Sequence, residues 1–241
     1  MKRFNWHTIR LVLIAFAMVF LYSFASKRNQ NRQIKNINIS FTENKTNLFI
    51  THEMVNNLLI QNCGGAFPFK KVKLDLNTLE TVLDDHEMIE KAQVFSSIDG
   101  SLSAHIKQKT PTVRQLSSNG SHYLDSKGIK ISLSDNFSAR VPLVAGDFPD
   151  EEKENYVFLF NEIHKDEFLK KNITGIRILP SGGVIMTNRN YDFDIVLGKP
   201  IQIEQKLKKY KAFIQFASRD TLINSYKEVN LMFDEQVVCK K

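Results

Sequence analysis

The chain has 241 residues, with 33 Lys and Arg against 26 Asp and Glu, and a formal net charge of +7. All of that excess lies in the first 35 residues, at Lys2, Arg3, Arg10, Lys27, Arg28, Arg32 and Lys35, so residues 36–241 carry 26 charges of each sign. A neutral body lacks the basic face that phosphate binding needs, which argues against nucleic acid as a partner; cations beside an apolar run suit a bilayer surface.

The apolar run is Leu11–Ser26, LVLIAFAMVFLYSFAS, without charge, Pro or Gly. A signal-peptide core takes roughly 7–15 apolar residues and a spanning helix about 20. Adding Thr8 and Ile9 and letting Arg10 snorkel gives a workable span, with Trp6 and Tyr22 near the two interfaces. We therefore expect a short cytoplasmic tail over 1–8, a transmembrane anchor over 9–26 and a polar linker over 27–33. A cleaved signal, cut after Ser23-Phe24-Ala25, is the competing reading. Both place the remaining chain across the membrane. Two cysteines, Cys63 and Cys239, fix no geometry by their spacing.

A first domain is expected over 34–109. Ile37, Ile39 and Phe41 alternate with polar residues, as in a strand with one buried face. Thr51 is a candidate N-cap for a helix carrying Met54, Val55, Leu58 and Leu59, which Gly64-Gly65 ends. Asn77-x-x-Glu80 has the form of a capping box before a second helix bearing Leu79, Val82 and Leu83. Ala92, Val94, Ser96 and Ile98 then alternate, Asp99-Gly100 makes a turn, and Leu102, Ala104 and Ile106 alternate back. The order is β-α-α-β-β.

A second, β-rich domain is expected over 110–241. Strands are predicted at Thr112–Leu116, at His122–Leu124 and around Ile129–Leu133, with a short apolar segment at Val141–Val144. A helix from about Asp150 to Lys165 buries Tyr156, Leu159, Phe160 and Ile163 behind an acidic first turn. Strands follow at Ile173–Leu179, Val184–Thr187 and Phe193–Leu197. Ile203, Leu207, Tyr210, Ile214 and Ala217 then mark a helix, whose Lys206, Lys208, Lys209 and Lys211 read as a solvated face. A last strand is expected within Tyr226–Cys239, with Val229, Leu231 and Phe233 on one face. The fold class is thus α+β: one N-terminal transmembrane helix, a β-α-α-β-β domain, then a β-rich domain with flanking helices.

Several phrases carry a family likeness. The first domain and its closing Gly100-Ser-Leu-Ser-Ala-His-Ile-Lys-Gln-Lys-Thr-Pro111 resemble a POTRA domain. Behind a single anchor, that domain is similar to the one in the bacterial FtsQ/DivIB cell-division family. Tyr123-x-Asp125-x-x-Gly128, Val141-Pro-Leu-Val-Ala-Gly146 and Ile195-Val-Leu-Gly198 follow in the family's order. The terminal phrase resembles the family's Ile-Asp-Leu-Arg-(Tyr/Phe), with Asn230 in place of the Asp and Met232 in place of the Arg. The resemblance implies a non-catalytic scaffold of the division complex, in the inner (plasma) membrane at the septum. Its bulk would be extracytoplasmic, helping control septal peptidoglycan synthesis. It also implies that the C-terminal strand, at Val229, Asn230, Leu231, Met232 and Phe233, binds small single-span coiled-coil division proteins of the FtsB and FtsL type. A POTRA-type module serving translocation or envelope assembly, and a signal-cleaved secreted binding protein, are the alternatives.

No catalytic, cofactor or metal constellation emerges from the residues. His52-Glu53 begins like a zinc helix, but position 56 is Asn. Asp84-Asp85-His86 reads as surface turn residues at a helix end, and Asp125, three after His122, as a turn Asp bonding its own backbone. We expect no enzyme, no cofactor and no small-molecule substrate.

Overall fold

The computed structural model describes residues 6–30, 33–42, 49–65, 67–70, 74–97, 99–117, 120–219 and 221–241. The protein is α+β and divides into two compact units, Met1–Gln108 and Lys109–Lys241.

The first unit opens with α1, Trp6–Gln30. Within it Ile9–Arg28 spans 20 residues of high mean hydropathy and is left unburied among the described residues. Leu11, Phe16 and Tyr22 are all exposed. Such a helix, unburied on all faces among the described residues, is long and apolar enough to cross a bilayer. After β1, Gln33–Ile34, comes β2, Asn36–Phe41. Next is α2, His52–Asn62, capped by Thr51, whose hydroxyl accepts from Met54 N at 3.2 Å. Gly64 and Gly65 end it at φ +102° and +74°, conformations that favour glycine. The pair β1 and β3, Phe69–Lys70, forms a small antiparallel ladder.

Helix α3, Leu76–Asp84, begins at Asp75, not Asn77: the Asp75 carboxylate accepts from Thr78 N and Thr78 Oγ1. The predicted capping box is therefore displaced, because an Asp in the right extended conformation precedes it. Strands β4, Ile89–Ser96, and β5, Ser101–Gln108, form an antiparallel hairpin. Its connection is Ser97–Gly100, two residues longer than the predicted turn, closed by Ser97 N donating to Ser101 O at 2.8 Å. Ile98 lies outside the described residues. The sheet order is β2-β5-β4, with β2 parallel to β5. Ala92, Val94, Leu102, Ala104 and Ile106 are all buried, as their alternation predicts.

The second unit is built on nine strands: β6 Pro111–Ser117, β7 Gly120–Asp125, β8 Lys130–Ile131, β9 Leu143–Ala145, β10 Ile173–Ile178, β11 Val184–Asn188, β12 Asp194–Gly198, β13 Glu228–Asn230 and β14 Val238–Lys240. They form one sheet in the order β14-β13-β12-β11-β10-β9-β6-β7-β8. β9 runs parallel to both neighbours, and β13 parallel to β12. One face is apolar: Ile176 and Ile178 are buried while Arg177 between them is exposed. Helices α4 Lys153–Lys165, α5 Glu167–Asn172 and α6 Ile203–Ala217 share that core through Tyr156, Phe160, Leu169, Leu207 and Tyr210. The acidic stretch Asp150–Glu152 forms a 3-10 turn ahead of α4. α5 escapes periodicity at six residues; its mark is the N-cap Asp166, whose carboxylate accepts from Phe168 N and Leu169 N.

Candidate protein-binding edge

A sheet edge offers free main-chain N–H and C=O groups to another strand. In the second unit one such edge is formed at the C-terminus. The expected single strand is two: β13 and β14 pair antiparallel, Glu228 with Lys240, Val229 with Cys239 and Asn230 with Val238. β13 is therefore enclosed, with β12 on one side and β14 on the other, and the outer edge belongs to β14. The segment between them, 231–237, carries Asp234-Glu235-Gln236 at its middle and folds the chain back.

The five residues singled out from sequence fall into two groups. Val229 and Leu231 are completely buried and belong to the core, and Leu231 N donates to Val196 O at 2.9 Å. Asn230 turns its Oδ1 to Met232 N at 3.0 Å. An Asp would supply the same acceptor, so this departure from the family phrase preserves the turn. Met232 and Phe233 are about half exposed. Phe233 thus leaves the face it was expected to share with Val229 and Leu231, because the strand ends at Asn230.

Two residues outside that group hold the segment. Gly198 closes β12 at φ +72°, and a Cβ there would meet Met232 Cγ at 2.7 Å. Lys209 on α6 donates its ammonium to the carbonyls of Leu231, Phe233 and Asp234. The α6 lysines are therefore not simply a solvated face. Lys206 is buried, its Nζ donating to Lys199 O at 2.9 Å, and desolvation with the nearby Lys209 charge pushes its pKa down. Lys211 pairs with Asp166. Lys208 alone of the four is exposed and makes no internal bond among the described residues. The stem of a core lysine looks apolar to packing and charged to a sequence, so periodicity misses it.

The remaining family phrases shape turns. Asp125 Oδ1 accepts from Lys127 N and Ile129 N, both at 2.8 Å, so its carboxylate serves its own backbone. Gly128 and Gly146 have φ of +72° and +98°, and a Cβ would clash with Val157 and with the Ile178 carbonyl.

A family model described as FtsQ/DivIB, C-terminal related, matches residues 110–240, more than half of the chain. The chain belongs to the FtsQ/DivIB family. No curated protein matches it closely enough to count as a relative. Membership of this family supports a role in cell division. Among the described residues no group of three or more His, Cys, Asp or Glu is placed to hold a metal ion. Cys63 and Cys239 are free, and burial pushes both thiols up. His122 is held below its ordinary range by burial and then by Lys130.

Proposed function

We propose that this FtsQ/DivIB-family chain is a non-catalytic, single-pass scaffold of the division complex. It holds partners outside the membrane through its C-terminal hairpin and so helps control septal peptidoglycan synthesis. The observation that carries the reading is the β14 edge, the terminal strand of a nine-stranded sheet among the described residues of the family-matched unit. Exposed Met232 and Phe233 lie in the turn beside it. A partner strand gains main-chain hydrogen bonds at that edge whatever its side chains, and the apolar pair supplies grip. Val229, Leu231 and Asn230 act by fixing the path of the chain. The partners implied are small single-span coiled-coil division proteins of the FtsB and FtsL type, and the site of action the septum. α1 supplies the anchor.

The test is co-purification of those partners from cells. Removing 236–241, which carries β14, should abolish capture while the circular dichroism of the chain stays close to wild type. Undiminished capture by the shortened chain would exclude the hairpin edge as the docking surface. A fluorescent fusion should form a mid-cell band; even envelope staining would favour a general envelope role.

A further inference from the structure

The first unit also ends in an edge strand, β4, but this edge is occupied. Ala92 N donates to Asp84 Oδ1 at 2.6 Å, and Val94 N donates to Glu80 Oε1 at 2.7 Å. Both carboxylates come from α3. The match is one of spacing. Glu80 and Asp84 lie four apart on a helix, a rise of about 6 Å. Ala92 and Val94 lie two apart on a strand, about 6.6 Å. Because α3 runs against β4, the earlier helical residue meets the later strand residue. The side chains of Ala92 and Val94 are buried, while Glu80 is half-buried and Asp84 exposed. The two acids therefore lie where a further strand would form its ladder.

We propose that Glu80 and Asp84 are a guard that closes β4 against strand addition, above all against pairing with the β4 of a second copy of this chain. Two features of the guard act together. The donors an incoming carbonyl would use are already satisfied by charged acceptors, the stronger kind of hydrogen bond. Edge-to-edge pairing of two copies would also bring four carboxylates into one narrow ladder, where strands lie about 4.8 Å apart and like charges repel. A second copy is the relevant competitor because it carries the same edge at the same height above the membrane, and antiparallel self-pairing about Gln93 needs no other sequence. The guard explains two readings that the sequence left idle: Glu80 is not a capping residue, and Asp84 is not merely a turn residue. It is independent of partner capture by the second unit.

The experiment uses the full chain in detergent, carrying Gln93→Cys and Cys239→Ser; Gln93 is exposed on β4 and Cys63 is buried. With the guard intact, oxidation should give no dimer disulfide-linked through position 93. With Glu80→Ala and Asp84→Ala, that dimer should form on oxidation, and in the reduced, dilute monomer amide exchange at Ala92 and Val94 should accelerate about tenfold, the loss of one charged hydrogen bond each. Glu80→Gln with Asp84→Asn keeps an oxygen acceptor at both places and should restore amide protection. A folded double-Ala chain that yields no such disulfide, or whose Ala92 and Val94 amides stay protected in the reduced monomer, overturns the proposal. Should the double-Ala chain lose its fold, the single variants decide. Glu80→Ala must release Val94 and spare Ala92, and Asp84→Ala the reverse; equal release of both amides overturns the guard.

Discussion

Gly198 and Lys209 both hold the segment that leads to the candidate edge. At φ +72° any side chain at 198 costs about 1–2 kcal/mol of backbone strain and here also displaces Met232. Gly198→Ala should lower stability by about that amount in urea unfolding and weaken partner capture further than the stability loss explains. Lys209→Met removes an ammonium from three carbonyls. Leaving those carbonyls to water should cost about 1–3 kcal/mol, read as a lower urea midpoint with an unchanged slope. Asp166 gives a pH signature. Burial alone would raise its carboxyl, but Lys211 and the N–H groups of Leu169 and Phe168 outweigh it and hold the pKa below the usual value. A depressed folded pKa gives stability that is present above the unfolded value, near 3.8, and lost as the pH falls through the folded one. Asp166→Asn should therefore cost roughly 1 kcal/mol at neutral pH and flatten the decline in melting temperature below about pH 4. Of these residues the sequence marked Gly198, through its family phrase. It did not mark Lys209, because four lysines within six positions look alike until the fold sends three of them inward.

At the scale of elements, the C-terminal hairpin separates packing from docking. Val229 lies on an enclosed strand and is fully buried, so Val229→Asp should unfold the second unit, with a loss beyond about 3 kcal/mol from an unpaired buried charge. Met232→Asp and Phe233→Asp introduce the same charge on half-exposed side chains. They should leave the melting temperature within a few degrees of wild type and still reduce capture of the partners. Equal losses of stability across all three variants would show that Met232 and Phe233 are packed in the folded chain. Most elements were legible from periodicity: the hairpin of β4 and β5, α4, β10 to β12 and α6 fall within a few residues of expectation. The terminal segment was not. Apolar residues at 229, 231 and 233 satisfy the period-2 pattern, yet only three residues remain extended before the chain turns. A pattern of alternation does not say where a strand stops.

At the scale of the molecule, charge and apolar length act on different parts. The cations sit around α1, and the rest of the chain is neutral. If the 20-residue span Ile9–Arg28 is an anchor, the chain should resist extraction by high salt and by carbonate and yield only to detergent. Amino-terminal sequencing of the membrane-bound protein should then begin at or beside Met1; a start at Ser26 would make the segment a cleaved signal. The main β-α-α-β-β order of the first unit and the second unit's β-rich plan were both readable, since the longer elements announce themselves by local spacing; the two-residue strands β1 and β3 escaped it. So did α5, being too short to show a period.

The sequence by itself determined which of the longer segments are helix or strand, most of the side chains that turn inward, where the apolar helix lies and which family the chain resembles. These are local or compositional properties, set by periods of 2 and 3.6 and by counted charges. Only the tertiary structure decided which backbone edges stay open. Whether Ala92 and Val94 offer their N–H groups depends on carboxylates 8 and 14 residues away in the chain. Whether β13 is exposed depends on a strand folding back over it. Edge occupancy is a question of what lies beside a strand in space, and the spacing of residues along that strand does not contain it.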